Sequence, residues 1–323
     1  MSTETIITKK SVDQTEINTK QFIIILYVAL SLIYLVVMLT LPPDKRALVK
    51  YQLSPSAIKV IGLVVALPLV AIWGVAFYGY YRYNTYALSI SRTKDGAYHK
   101  LISNGLLVLA LSLPISTIIS NLLTYYGRQN TNFMPSSTIL GNYLALALNF
   151  VAFLLIYRGT NGLLKITNQS LRTRSEVYLM MGFTIVVGLF FYLSLRNPAR
   201  QFPTSNVTTA AYYLPDWLII LTILIPYTIV WYMGVMSAYR LWLYRSNVQG
   251  KIYKRAFTRL ALGLGVVVGF LMVLRYLVAL TTTLDNLALK YLLLVVYLLL
   301  IFIAIGYGLI ASGAKRLKKI EEV

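Results

Sequence analysis

Apolar runs of about 20 or more residues, long enough to cross a hydrocarbon core roughly 30 Å thick, alternate with short polar segments along the whole chain. They predict eight membrane-spanning helices, at 21–41, 57–81, 101–125, 137–157, 177–195, 214–239, 257–281 and 290–312. A backbone inside hydrocarbon must satisfy its own hydrogen bonds, so runs of this kind become helices. The longest interruptions hold about 20 residues, too few for a soluble domain of roughly 50 or more. The expected fold class is therefore all-α integral membrane. The first run is too long for a signal-peptide core, and no small-residue cleavage site follows it in LTLPPDKRALVK, so it reads as a retained helix.

Within this pattern one stretch recurs. PLVAIWGVAFYGYYR (68–82) returns, degraded but in register, as PYTIVWYMGVMSAYR (226–240). Pro68 matches Pro226, Trp73 matches Trp231, and Tyr81-Arg82 matches Tyr239-Arg240. The same offset of 158 carries Gly105 to Gly263 and Arg158 to Arg316. Similar interfacial residues on unrelated helices would explain one pair; a register held through several helices argues for duplication. The expectation is two parallel four-helix repeats, 21–158 and 177–316. A basic cytoplasmic linker (159–176) would join them, between an N-terminal tail (1–20) and a C-terminal tail (317–323). Pro68 and Pro226 should kink their helices and free the carbonyls of Val64 and Thr222. Tyr81-Arg82 and Tyr239-Arg240 should end those helices at the cytoplasmic head groups, where an amphipathic ring and a snorkelling cation both sit well.

Polar positions inside the runs are few. Ser112, Ser116, Thr117, Ser120 and Asn121 fall at helical spacing on the third span, with Pro114 between them, and Asn142 and Asn149 share a face of the fourth. These faces either bond helix to helix or line a polar pathway open to the outer side. Ala261, Gly265 and Gly269 form a small-residue repeat that would admit a neighbouring helix. Three charges sit in or near the apolar zone: Lys59, Asp216 and Arg275. Lys59 and Asp216 occupy nearly equivalent positions in the two repeats, as a cross-repeat pair or as two separate interfacial charges.

Composition adds orientation. Of 323 residues 58% are hydrophobic and 12% charged, and the net charge is +20. Alternating the eight spans puts 21 of the 30 Lys and Arg residues on the side of the two termini, which the positive-inside rule assigns to the cytoplasm. That distribution favours contact with anionic lipid head groups, or with a membrane-protein partner, over nucleic acid. Cysteine is absent and histidine occurs once, as His99, so thiolate metal sites and bis-histidine haem are excluded and no cofactor is expected. The thin supply of acids, bases and nucleophiles argues against an enzyme. Two functions remain: a transporter or translocator of a small or lipidic substrate, and a non-catalytic membrane scaffold or assembly factor.

Overall fold

The computed structural model describes residues 3–40, 54–129, 134–167, 173–196, 220–279 and 289–318. Among them are eight α-helices: α1 (Thr3–Thr40), α2 (Pro55–Ser89), α3 (Gly96–Gln129), α4 (Met134–Ile166), α5 (Thr173–Arg196), α6 (Ile225–Tyr244), α7 (Lys251–Ala279) and α8 (Leu289–Lys318). Seven are long and apolar enough to cross a membrane, as expected of a multi-pass membrane protein. The exception is α6, where the first part of the expected sixth span (214–219 of 214–239) lies outside the described residues. It is also a buried helix: Trp231 and Met236 are fully enclosed by protein. Neighbouring side chains, rather than hydrocarbon, surround it there.

Six helices pair with their neighbours in a closed cycle, α2–α3–α4–α6–α7–α8 and back to α2. Helix α1 lies outside the cycle against α2 and α3, and α5 lies outside it against α7. The most extensive pairings, α3 with α4 and α7 with α8, rest on glycines. A Cβ at Gly105 would stand 2.8 Å from the Ala152 carbonyl oxygen and 2.5 Å from Ile156 Cγ1. One at Gly263 would stand 2.8 Å from the Gly306 carbonyl oxygen and 2.7 Å from Ile310 Cγ1. Gly159 lies in the same way against Tyr98 and Ile102, and Gly313 against Ala256 and Leu260. With no side chain in the way the backbones approach closely, and dispersion replaces the hydrophobic effect that hydrocarbon cannot supply.

The two prolines sit differently in their helices. Pro68 lies inside the continuous α2, and the Val64 carbonyl that it leaves without a backbone donor accepts a bond from the Tyr297 hydroxyl of α8 at 3.1 Å. Pro226 opens α6 behind a five-residue π turn, Ile220–Leu224, a local widening that often accompanies a break in the α ladder. The expectation that Tyr81-Arg82 and Tyr239-Arg240 end their helices is corrected: α2 runs on to Ser89 and α6 to Tyr244. The segments beyond, YNTYALS and LWLY, contain neither Gly nor Pro, so nothing local stops the helix.

Candidate functional site

The polar face of α3 and α4 is bonded largely to its own helices. The Ser112 hydroxyl donates to Leu109 O at 2.8 Å, Thr117 to Leu113 O at 2.7 Å and the Asn121 amide to Thr117 O at 2.8 Å. Ser116 bonds the Ser112 and Leu113 carbonyls. The Asn149 amide donates to Ala145 O at 2.8 Å. The Ser112 hydroxyl also reaches Asn149 Oδ1 of α4, at 3.4 Å. Ser112 is buried, Ser116, Thr117, Asn121 and Asn149 are half-buried, and Ser120 is exposed. Back-bonding of this kind lets hydroxyls sit in an apolar helix without a partner from another helix. The Asn142 side chain lies outside the described residues.

A second constellation gathers around His99. Its ring is fully buried, and Nδ1 lies 2.8 Å from the Tyr83 hydroxyl, itself fully buried on α2. Nε2 stands 3.7 Å from Asp95 Oδ2, within ion-pair reach but beyond a good hydrogen bond. One tautomer suits both sides: the Tyr83 O–H donates to Nδ1 while Nε2–H faces the carboxylate. The Tyr244 hydroxyl of α6 reaches the same Asp95 oxygen at 3.5 Å. Tyr86, Tyr244 and Phe257 enclose the imidazole, with centroids 5.2, 6.1 and 6.0 Å away. The imidazole and a bond from Thr93 hold the Asp95 carboxyl well below the usual carboxylate range, against the opposing effect of partial burial. This cluster ties the turn after α2 and the start of α3 to α6 and α7.

The recurring residues sit at unequal depths. Trp73 packs on Tyr34 of α1 at 5.0 Å and Trp231 on Phe190 of α5 at 4.7 Å, both tryptophans fully buried. Arg82 is half-buried over Tyr78 and is compatible with snorkelling. Arg240 is not: it is 5% exposed, stacks 4.2 Å over the Tyr157 ring and donates to its hydroxyl at 3.2 Å. Tyr239 meets Ser175 at the start of α5, 2.6 Å between hydroxyls, while Tyr81 is half-buried on α2. Lys59 is exposed; Asp216 and the Arg275 side chain lie outside the described residues. Ala261 is buried, but Gly265 and Gly269 are not close-approach points. A Cβ there would meet Ala238 Cβ at 3.9 Å and the Phe302 ring at 3.7 Å. The close approach on α7 is at Gly263. Spacing on one helix cannot say which face its neighbour will choose.

Sequence reasoning used His99 only to exclude metal chemistry and passed over the cluster around it. One signal was available: 99 plus the repeat offset is Phe257, and 86 plus the same offset is Tyr244, so four of its members are related by that register. Compared with known proteins, the chain matches no family model, no curated protein and no solved structure.

Proposed function

We propose that this protein is a transporter or translocator of a small or lipidic substrate, built from two parallel halves, α1–α4 and α5–α8, with both termini cytoplasmic. The observation that carries the reading is that the halves pack through corresponding residues. Gly105 against Ala152 and Ile156 corresponds to Gly263 against Gly306 and Ile310, and the reciprocal Gly159 contacts correspond to those of Gly313. Trp73 against Tyr34 corresponds to Trp231 against Phe190. The contacts between the halves are themselves reciprocal, α2 with α8 and α6 with α4.

The offset is not uniform. It is 158 for the second and third helices of each half (Trp73 to Trp231, Gly105 to Gly263) and 154 for the fourth (Ile156 to Ile310). Arg158 then corresponds to Ser312, and the alignment of Arg158 with Arg316 is a turn out of step. Duplicated halves meeting at an axis along the membrane normal, with a proline in each of the helices α2 and α6 at their junction, are the architecture in which rocking one half against the other exposes a central site to alternate sides. On this reading the His99 cluster is the closed cytoplasmic contact, since it joins α2 and α3 of one half to α6 and α7 of the other.

The scaffold reading has its own support. The hydroxyls of α3 bond their own backbone, which suits side chains that merely tolerate the apolar interior. Cysteine substitution at 112, 116 and 149 separates the two readings, since the native chain has no cysteine. Transport expects at least one position to react with a water-soluble thiol reagent from outside, and Asn149→Leu to abolish activity in a protein that still inserts. Protection of all three under every condition favours the scaffold.

A further inference from the structure

Corresponding helices of the two halves do not close onto their neighbours equally. In the first half the phenol end of Tyr27 of α1 packs against Gly74 of α2, 3.3 Å from where a Cβ would be, and its hydroxyl donates to Val70 O at 3.3 Å. In the second half the residue corresponding to Gly74 is Tyr232, and the one corresponding to Tyr27 is Phe183. These two rings meet edge to face at 6.1 Å. Where glycine lets α1 settle, a tyrosine ring holds α5 off α6. The result is a groove of ≈ 630 Å³ along α5, with Tyr232 as its inner wall. On either side of it along α5 the helix does meet α6: Ser175 reaches Tyr239 at 2.6 Å before it, and Phe190 packs on Trp231 at 4.7 Å after it.

We propose that this groove seats a phospholipid whose head group carries a primary ammonium, with an acyl chain along α5. The body of the groove is apolar, formed by Val177, Met180, Met181 and Ile185. Val177, Met181 and Ile185 are exposed, so the groove opens sideways into hydrocarbon, and a chain can enter without crossing water. Its polar groups are Glu176, at the end of α5 that the basic-residue distribution assigns to the cytoplasm, Thr184 and Tyr232.

Charge selects the head group. Glu176 and Tyr232 line the same groove, and the Tyr157 ring lies against Tyr232 at 6.2 Å between centroids. Arg240 stacks on Tyr157 behind the wall, buried, with Nε and Nη1 lacking a partner among the described residues. The carboxylate at the mouth complements a cationic head group, while the Arg240 guanidinium, enclosed behind the wall, is no surface of the groove. Glu176 repels a net-anionic head group. A quaternary ammonium offers it no N–H, whereas a primary ammonium offers three donors. The surrounding loops are basic and would recruit anionic lipid at random, so a carboxylate lining this groove favours something else.

This names the substrate class of the proposed translocator and rests on that reading for its role, but binding is tested separately. The full chain is loaded with equimolar dioleoyl phosphatidylethanolamine, phosphatidylcholine and phosphatidylglycerol, and retained lipid is counted by native mass spectrometry. Phosphatidylethanolamine should be kept about tenfold over the other two, as expected for one charge-assisted contact. Glu176→Gln should remove the preference and leave total lipid unchanged. Tyr232→Gly, which restores the residue of the first half, should let α5 close and lose the lipid; Tyr232→Phe, which keeps the ring, should retain it. Equal retention of the three lipids by the native chain overturns the proposal, as does a preference for phosphatidylglycerol. A dimer that excludes lipid and disappears in Tyr232→Gly would give the groove to a second copy, and overturns it as well. Selective binding without movement of labelled phosphatidylethanolamine in proteoliposomes contradicts transport and leaves the site standing. Movement without head-group preference does the reverse.

Discussion

Two glycines on α7, two positions apart, should respond oppositely to the same substitution. Gly263→Ala places a methyl 2.8 Å from the Gly306 carbonyl oxygen, 2.8 Å from Ile310 N and 2.7 Å from Ile310 Cγ1. Two of these neighbours are backbone and cannot rotate away. To reach ordinary contact, α7 and α8 must separate by about half an ångström, a gap that already forfeits roughly a quarter of each dispersion well it opens. Overpacking of this kind costs about 1–3 kcal/mol. Gly265→Ala places its methyl 3.9 Å from Ala238 Cβ, where it displaces nothing. Both substitutions gain the same helix propensity, about 1 kcal/mol in water, so the difference between the variants isolates the packing cost. Equilibrium unfolding in mixed detergent micelles should put Gly263→Ala about 1–3 kcal/mol below Gly265→Ala. Equal stability, or a more stable Gly263→Ala, would refute the close approach of α7 and α8.

Tyr297→Phe removes the donor to the carbonyl that Pro68 leaves open; it should cost about 1 kcal/mol in the same assay, whereas Tyr178→Phe, at an exposed position, should cost less. Asp95 contributes stability with a definite sign. Its folded carboxyl is held below its unfolded value, so the contribution is present above about pH 4 and fades as pH falls toward the folded value. Asp95→Asn should therefore flatten that acid limb, as read from micelle unfolding between pH 5 and pH 3; a variant with an unchanged limb would remove Asp95 from the account.

The helices were legible in the sequence because hydrocarbon imposes one rule on every residue of a span. Their ends were less so. The Tyr-Arg pairs suggest helix ends at the head groups, but α2 and α6 continue through them for want of a breaker. The carbonyl freed by Pro68 could be named in advance, since proline chemistry is local; its partner Tyr297 could not, being 233 residues away. Gly105 and Gly263 stood out through the repeat, whereas Gly265 and Gly269 were chosen by spacing alone, and spacing carries no information about the neighbour. The polar face was read from one-dimensional positions. What the hydroxyls do there, bonding backward along their own helix, depends on rotamers that the sequence does not encode. Arg240 shows the same limit: its buried stacking on Tyr157 is set by α4, which only the fold brings alongside.

The claim that two halves must move against each other is tested most directly by fastening them together. A Cβ at Gly79 of α2 would lie 3.5 Å from Ala311 Cβ of α8, at the near edge of disulfide geometry, where Cβ atoms stand roughly 3.5–4.5 Å apart. The double variant Gly79→Cys/Ala311→Cys, in a chain with no other cysteine, should cross-link on mild oxidation. Movement of labelled phospholipid across proteoliposomes is then followed in the oxidised and reduced states of one preparation. The account predicts arrest on oxidation and recovery on reduction. Full cross-linking with unchanged movement would contradict it.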